Sequence, residues 1–207
     1  MKNLLIVLGY ALLISSCAKY PADSVTTEEN DIIGSLYNQN TNFSSYSTFA
    51  IVDSVLLIKR GAGEPEPDTG YFRYSDRMIS LISQNMVSRG YTRVSKDSTP
   101  DLGIDVSVLN DANIGSYTYW GGYPGYWGWY GYSYWYGWPS TTYYKYEIGT
   151  VVINMIDLQN RNDVDKELTV VWNNVAAGLV ASSSNYNTSR IDRAINIMFE
   201  QSPYVKK

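Results

Sequence analysis

The chain has 207 residues, with 16 basic against 20 acidic side chains and a formal charge of −4, a length that suits one ordinary domain plus a leader. One Cys and no His exclude an intrachain disulfide, a Cys/His zinc site and any Ser-His or Cys-His catalytic pair. No Lys/Arg run is longer than two, so the electrostatic footprint of a nucleic-acid binder is missing.

The first element is an export leader. Lys2, the apolar run Leu4–Ile14 and the small residues Ser15 and Ser16 stand directly before the lone Cys17; the apolar run is too short for a permanent membrane helix. Ile14-Ser15-Ser16-Cys17 resembles the bacterial lipobox, in which the Cys thiol takes a diacylglycerol and becomes the new N-terminus. Residues 1–16 are therefore expected to be a cleaved signal peptide, and Cys17 a lipid-attachment site and the chain's membrane anchor. Ala18 in place of Asp resembles the sorting signal for the outer membrane, so the expected location is the outer membrane, lipid-anchored; a periplasm-facing domain is expected, and Ala18 leaves the side open. Residues 17–30 are polar and aperiodic and are expected to form a tether.

A single domain is predicted over 31–205. Ile32–Tyr37 and Thr48–Leu57 are rich in β-branched and aromatic residues and are predicted strands, with turn chemistry at Asn38–Asn42 between them. The Gly/Pro-rich stretch Gly61–Gly70 reads as a loop. Met78, Ile79, Ile82 and Met86 recur at helical spacing, with Ser75 as a cap and Gly90 as the left-handed end. Tyr91–Val94 is a short strand, and Leu102, Ile104, Val106 and Val108 alternate with Gly103, Asp105 and Ser107 as a strand with one core face and one polar face. Tyr143–Leu158 is apolar on both faces and is expected to be central. A polar turn joins it to Leu168–Ala177 in a hairpin. Ile191, Ala194, Ile195, Met198 and Phe199 form a helical stripe, with Ser189 and Asp192 as a capping box and Pro203 as the stop. The expected fold class is α+β, a two-layer sandwich of about five to six strands in a mixed, mostly antiparallel sheet with two helices on one face.

Between the strands lies an uncharged insertion, residues 112–142, whose core from Ser116 to Trp138 holds eight Tyr, five Trp and six Gly. Such a tract is open to three uses: an inserted loop that covers the sheet, a binding surface for an envelope protein or glycan, or contact with the membrane surface. The candidate contact residues are Trp120, Tyr126, Trp127, Trp129, Trp135 and Trp138. Asp101, Asp105 and Glu147 could meet on the polar side of adjacent strands, which leaves a glycan hydrolase as the alternative; solvated strand faces give the same pattern. The chain is expected to be a non-enzymatic structural or binding module, with no catalytic residue, metal or cofactor and with no nucleic-acid partner.

Several stretches carry a family resemblance. "NFSSYSTFAI", "SRGYTRV", "PDLGIDVSV", "YEIGTVVINMIDLQN", "VVWNNVAAG" and "RIDRAINIMFEQSP" resemble, in that order, the bacterial lipoproteins of domain of unknown function 4136, over nearly all of residues 30–204. The resemblance implies a cell-envelope lipoprotein domain. It carries over no catalytic residue. The turn "NRNDVDKELT" before "VW" is longer than the family pattern.

Overall fold

The alternation of Leu102, Ile104, Val106 and Val108 becomes the spine of a sheet. In a computed structural model of the chain, the described residues are 32–60, 65–68, 72–109, 133–136, 149–165, 167–179 and 188–207, all within one unit, Asp31–Lys207. In chain order they form β1 (Ile32–Tyr37), β2 (Thr48–Ile51), β3 (Leu56–Arg60), β4 (Pro65–Asp68), α1 (Ser75–Ser88), β5 (Thr92–Arg93), β6 (Leu102–Leu109), β7 (Ser133–Tyr136), β8 (Thr150–Asn162), β9 (Glu167–Ala177) and α2 (Thr188–Glu200).

Among the described residues the nine strands make one sheet, ordered β1-β9-β8-β6-β2-β5, with β3 beside β6, β4 beside β3, and β7 beside β9. The centre is antiparallel: Leu102–Leu109 of β6 pair with Asp157–Thr150 of β8, and β8 pairs in turn with β9. β2, β3 and β5 run parallel to β6 or to one another. The class is α+β, and the sheet is mixed.

Register decides what each side chain meets. Ile104, Val106 and Val108 lie opposite Met155, Ile153 and Val151, and Met155 lies opposite Trp172. These residues share one core with Met78, Ile82 and Met86 of α1 and with Ile191, Ile195, Met198 and Phe199 of α2, so both helices pack on this face. Trp172 is fully buried; its ring centroid is 5.0 Å from that of Phe199 and its Nε1–H donates to Ser202 Oγ at 2.8 Å. The Arg77 guanidinium joins the helices by donating from Nε to Asp192 Oδ1 at 2.7 Å.

The opposite face is also buried. Leu109, Val152, Ile156, Leu168, Val170 and Val175 point away from the helices by the same register; each is at most 2% exposed, and none joins the helix-side core.

Several expectations need correction. β6 has no solvated side: Asp105 and Ser107 are buried at 6% and 4% exposure. Thr48–Leu57 is two strands, because the chain leaves β6 after Ile51 and rejoins it at Leu56. Gly61–Gly70 contains β4, where Pro65 and Pro67 are tolerated because, among the described strands, β4 pairs with β3 alone, so a missing N–H can face away from its partner. The strand count exceeds five to six because β4 and β7 arise in segments whose composition signals loops. Ser75 does not cap α1: Tyr74 holds that position, while Ser75 Oγ accepts from the Val55 N–H at 2.8 Å. Ser189 lies inside α2, one residue past its start, and Asp192 accepts from Arg77. Gly90 is left-handed as expected, with φ of 94°. The stretch 143–148 of the expected central strand lies outside the described residues.

Trp172→Ala removes the largest ring of this core and its hydrogen bond, so stability should fall by about 3–5 kcal/mol. Urea melts should show this, with Val164→Asp at the exposed hairpin tip changing stability by no more than about 0.5 kcal/mol.

Candidate functional site

Cys17, Trp120, Tyr126, Trp127, Trp129, Trp138 and Glu147 lie outside the described residues. Trp135 is in β7, whose backbone runs parallel to β9 with Trp135 opposite Thr169.

Asp101 and Asp105 do not form a pair. Both belong to the β6 segment but stand four residues apart, roughly 13 Å along a strand, and they do different work. Asp101 Oδ2 accepts from the N–H groups of Ser47 and Thr48 at 2.8 and 2.9 Å, while its own N–H donates to Thr48 Oγ1 at 3.0 Å. Burial opposes its charge, but these hydrogen bonds and the positive charge of Lys207 outweigh it and hold the carboxyl below the usual range. The carboxylate thus fastens the start of β2 to the start of β6.

Asp157 is the second committed carboxylate. Tyr46 Oη–H donates to its Oδ2 at 2.8 Å, and Asn160 donates from its backbone N–H to Oδ1 at 2.8 Å and from Nδ2 to Oδ2 at 2.9 Å. Burial, followed by the charge of Asp157, drives the Tyr46 phenol well above its ordinary pKa. Tyr91 is likewise pushed up to about 12 by burial, against the charge of Arg89, and its O–H donates to the Phe43 carbonyl at 3.0 Å. Both phenols stay protonated at neutral pH and act as donors.

The second sheet face carries an arrangement that strand alternation alone does not reveal. Asp105, Asn154 and Asn173 are cross-strand neighbours on β6, β8 and β9, and each is no more than 6% exposed. Asn173 Nδ2 donates to Asn154 Oδ1 at 2.7 Å. A buried polar row needs partners for every donor and acceptor. The available signal was Asn inside the apolar runs "VVINMI" and "VVWNNV".

Two open grooves flank the far edge. One, of about 630 Å³, follows the outer wall of α1 between Asp76, Ser80 and Gln84 and the Asp53 and Arg93 side chains. The other, of about 380 Å³, adjoins Ile51, Val94 and Lys96 and shares Asp53 and Arg93 with the first. Among the described residues no group of three His, Cys, Asp or Glu is placed to hold a metal ion.

Residues 34–204 match the profile of a domain of unknown function, DUF4136. The chain belongs to the DUF4136 family. A crystal structure of a DUF4136 family protein from Bacteroides thetaiotaomicron shares its fold at a TM-score of 0.63 and 27% identity, over 86% of this chain and 98% of that one. A PelC dodecamer from Paraburkholderia phytofirmans aligns over 86% of this chain and 98% of its own at 11% identity and a TM-score of 0.42. A PDZ domain protein from Parabacteroides distasonis aligns over 84% of this chain and 36% of its own at 16% identity and a TM-score of 0.40. No curated protein matches the sequence.

In this DUF4136 domain the motif stretches are mainly frame. "PDLGIDVSV" supplies the Asp101 fastener and β6, "VVWNNVAAG" supplies Trp172 and the Asn173 end of the polar row, and "RIDRAINIMFEQSP" supplies α2 and Ser202. The motifs that carry the resemblance therefore encode the sheet and its cover, and their polar members are tied into it.

Asp101 gives the domain a pH signature. Its folded carboxyl titrates below the unfolded value of about 3.9, so its stabilisation is complete above that pH and is lost as pH falls through the folded value. Asp101→Ala should cost about 2 kcal/mol at pH 7 through two charge-assisted hydrogen bonds. In thermal melts from pH 7 to pH 2 the gap between variant and parent should close below about pH 4; a gap that is constant with pH contradicts this role.

Proposed function

We propose that this DUF4136 protein is a non-enzymatic structural or binding module of the outer membrane, anchored by acylated Cys17 and facing the periplasm. The observation that carries this is the register of Lys2, the apolar run Leu4–Ile14, the small residues Ser15 and Ser16, and the chain's one Cys at position 17. A thioether-linked diacylglycerol suffices as anchor: each buried CH₂ contributes about 0.8 kcal/mol, and two acyl chains hold where one holds marginally. Among the described residues no helix is long and apolar enough to cross a membrane.

A binding or structural role fits how the described polar groups are used. The carboxylates of Asp101 and Asp157 are spent on holding strands and turns. The contact surface in this proposal is the uncharged Tyr/Trp tract, with Trp120, Tyr126, Trp127, Trp129, Trp135 and Trp138 offering flat apolar rings with N–H or O–H groups to an envelope protein or glycan.

The anchor is tested by expressing the full chain and its Cys17→Ser variant with an alkynyl fatty acid. The parent should incorporate label and sediment with membranes, and the variant should do neither; an unlabelled parent in the soluble fraction rejects the proposal. The contact surface is tested with Trp127, Trp129 and Trp135 replaced by Ser. Capture of envelope material should fall at least tenfold while far-ultraviolet circular dichroism is retained, whereas unchanged capture removes the tract from the contact role.

A further inference from the structure

Among the described residues, the sheet edge beside α1 has an unfilled strand position. The last bond between β2 and β5 runs from the Val94 N–H to the Phe49 carbonyl at 2.9 Å, after which the chain turns off into a single 3₁₀ turn, Lys96–Ser98. β2 runs on to Ile51, still paired with β6 on its other side. Val52 donates its N–H to the Ile104 carbonyl at 3.1 Å. Successive residues of a strand direct their N–H and C=O to opposite sides, so those of Ile51 are directed away from β6, into the place that β5 has left. Among the described residues neither group has a hydrogen-bond partner, although Ile51 is only 4% exposed. Buried backbone groups are nearly always paired, and one extended chain supplies both an acceptor and a donor to such a residue.

We propose that this edge and the two grooves beside it bind an extended peptide segment of a partner protein. The segment bonds to Ile51 as a further strand and carries a basic residue at the Asp76 end and an acidic residue at the Arg93 end. The site is separate from the Tyr/Trp tract and stands whether or not Cys17 is acylated.

The charges select the occupant. Asp76 lies in the first turn of α1, whereas Arg93 follows the last turn by way of the left-handed Gly90. Both line the larger groove, which therefore has an acidic end and a basic end. Among the described residues neither side chain has an ion-pair partner. From Asp76 to Ser88 the helical wall is roughly 18 Å long, which five or six extended residues cover at about 3.3 Å each. The two grooves join at Asp53 and Arg93, and Ile51 lines the smaller one, so a chain that follows α1 passes the Ile51 backbone. Between the charged ends, Val87 at 54% exposure offers an apolar contact, and Ser80 and Gln84 offer hydrogen bonds. A nucleic acid or an anionic lipid surface would set a row of like charge against Asp53 and Asp76. A neutral glycan would leave both ends of the groove unmatched.

A displayed library of random octapeptides, selected on the full-length chain, tests the proposal. Enriched peptides should carry one basic and one acidic residue separated by a β-branched or aromatic stretch. In fluorescence anisotropy they should bind Arg93→Glu and Asp76→Lys at least tenfold more weakly than the parent. The double variant should bind the same peptide with its two charges exchanged as well as the parent binds the original, a recovery that a misfolded variant cannot give. In the unmodified chain an enriched peptide should slow amide exchange at Ile51 several-fold and leave Met155 of β8 unchanged, a readout that needs no variant to fold. Selection that enriches no peptide, peptides that bind the parent and both single variants equally, a folded double variant that rejects the exchanged peptide, or binding that leaves exchange at Ile51 unaltered overturns the proposal.

Discussion

β8 is the constraint from which the rest of the domain follows. It is paired on both sides, to β6 and β9, and is buried on both faces from Thr150 to Asp157. A strand so placed loses water from every backbone group and every side chain, so its hydrogen bonds must be complete and both faces must be covered. One cover is made by α1 and α2, joined through Arg77–Asp192 and seated on Trp172. Asn154 in the middle of β8 adds a second demand, because an amide in that position is costly unless paired; Asn173 supplies one bond from the neighbouring strand.

The elements with strong periodicity were legible from residues alone. The stripe Ile191, Ala194, Ile195, Met198, Phe199 and the two-sided apolar run around Ile153 have one structural solution each, and the structure adopts it. The misreadings share a cause, which is that alternation reports the polarity of a face and not its exposure. Asp105 and Ser107 read as solvated because polar residues usually are, but that side of the sheet is buried. The cap at Ser75 failed for a related reason: it has a local sequence partner, yet Val55, distant in sequence, claims its side chain. Long-range pairing also made β4 and β7, which no local signal marks.

The candidate site divides differently. A lipobox is a short linear signal, so Cys17 is legible in sequence and owes nothing to packing. The contact role of the Tyr/Trp tract rests on composition, and composition states which chemistry is available without stating which rings face a partner. The polar row was hidden for the opposite reason: Asp105, Asn154 and Asn173 come from three strands and become neighbours only when the register is known. Family membership sharpens the frame, since the motif residues are those that fasten strands and seat α2, and it leaves the chemistry of contact to the surface outside the frame.

The central claim is that β8 is sealed from both sides within one cooperative unit. Native-state hydrogen exchange on the full-length chain, followed at the amides of Val152, Asn154 and Ile156 as urea is added, tests it most directly. The account expects these amides to exchange only through global unfolding, at the free energy of the whole domain and with its full urea dependence. Exchange through a local opening of much lower free energy and little urea dependence would contradict it.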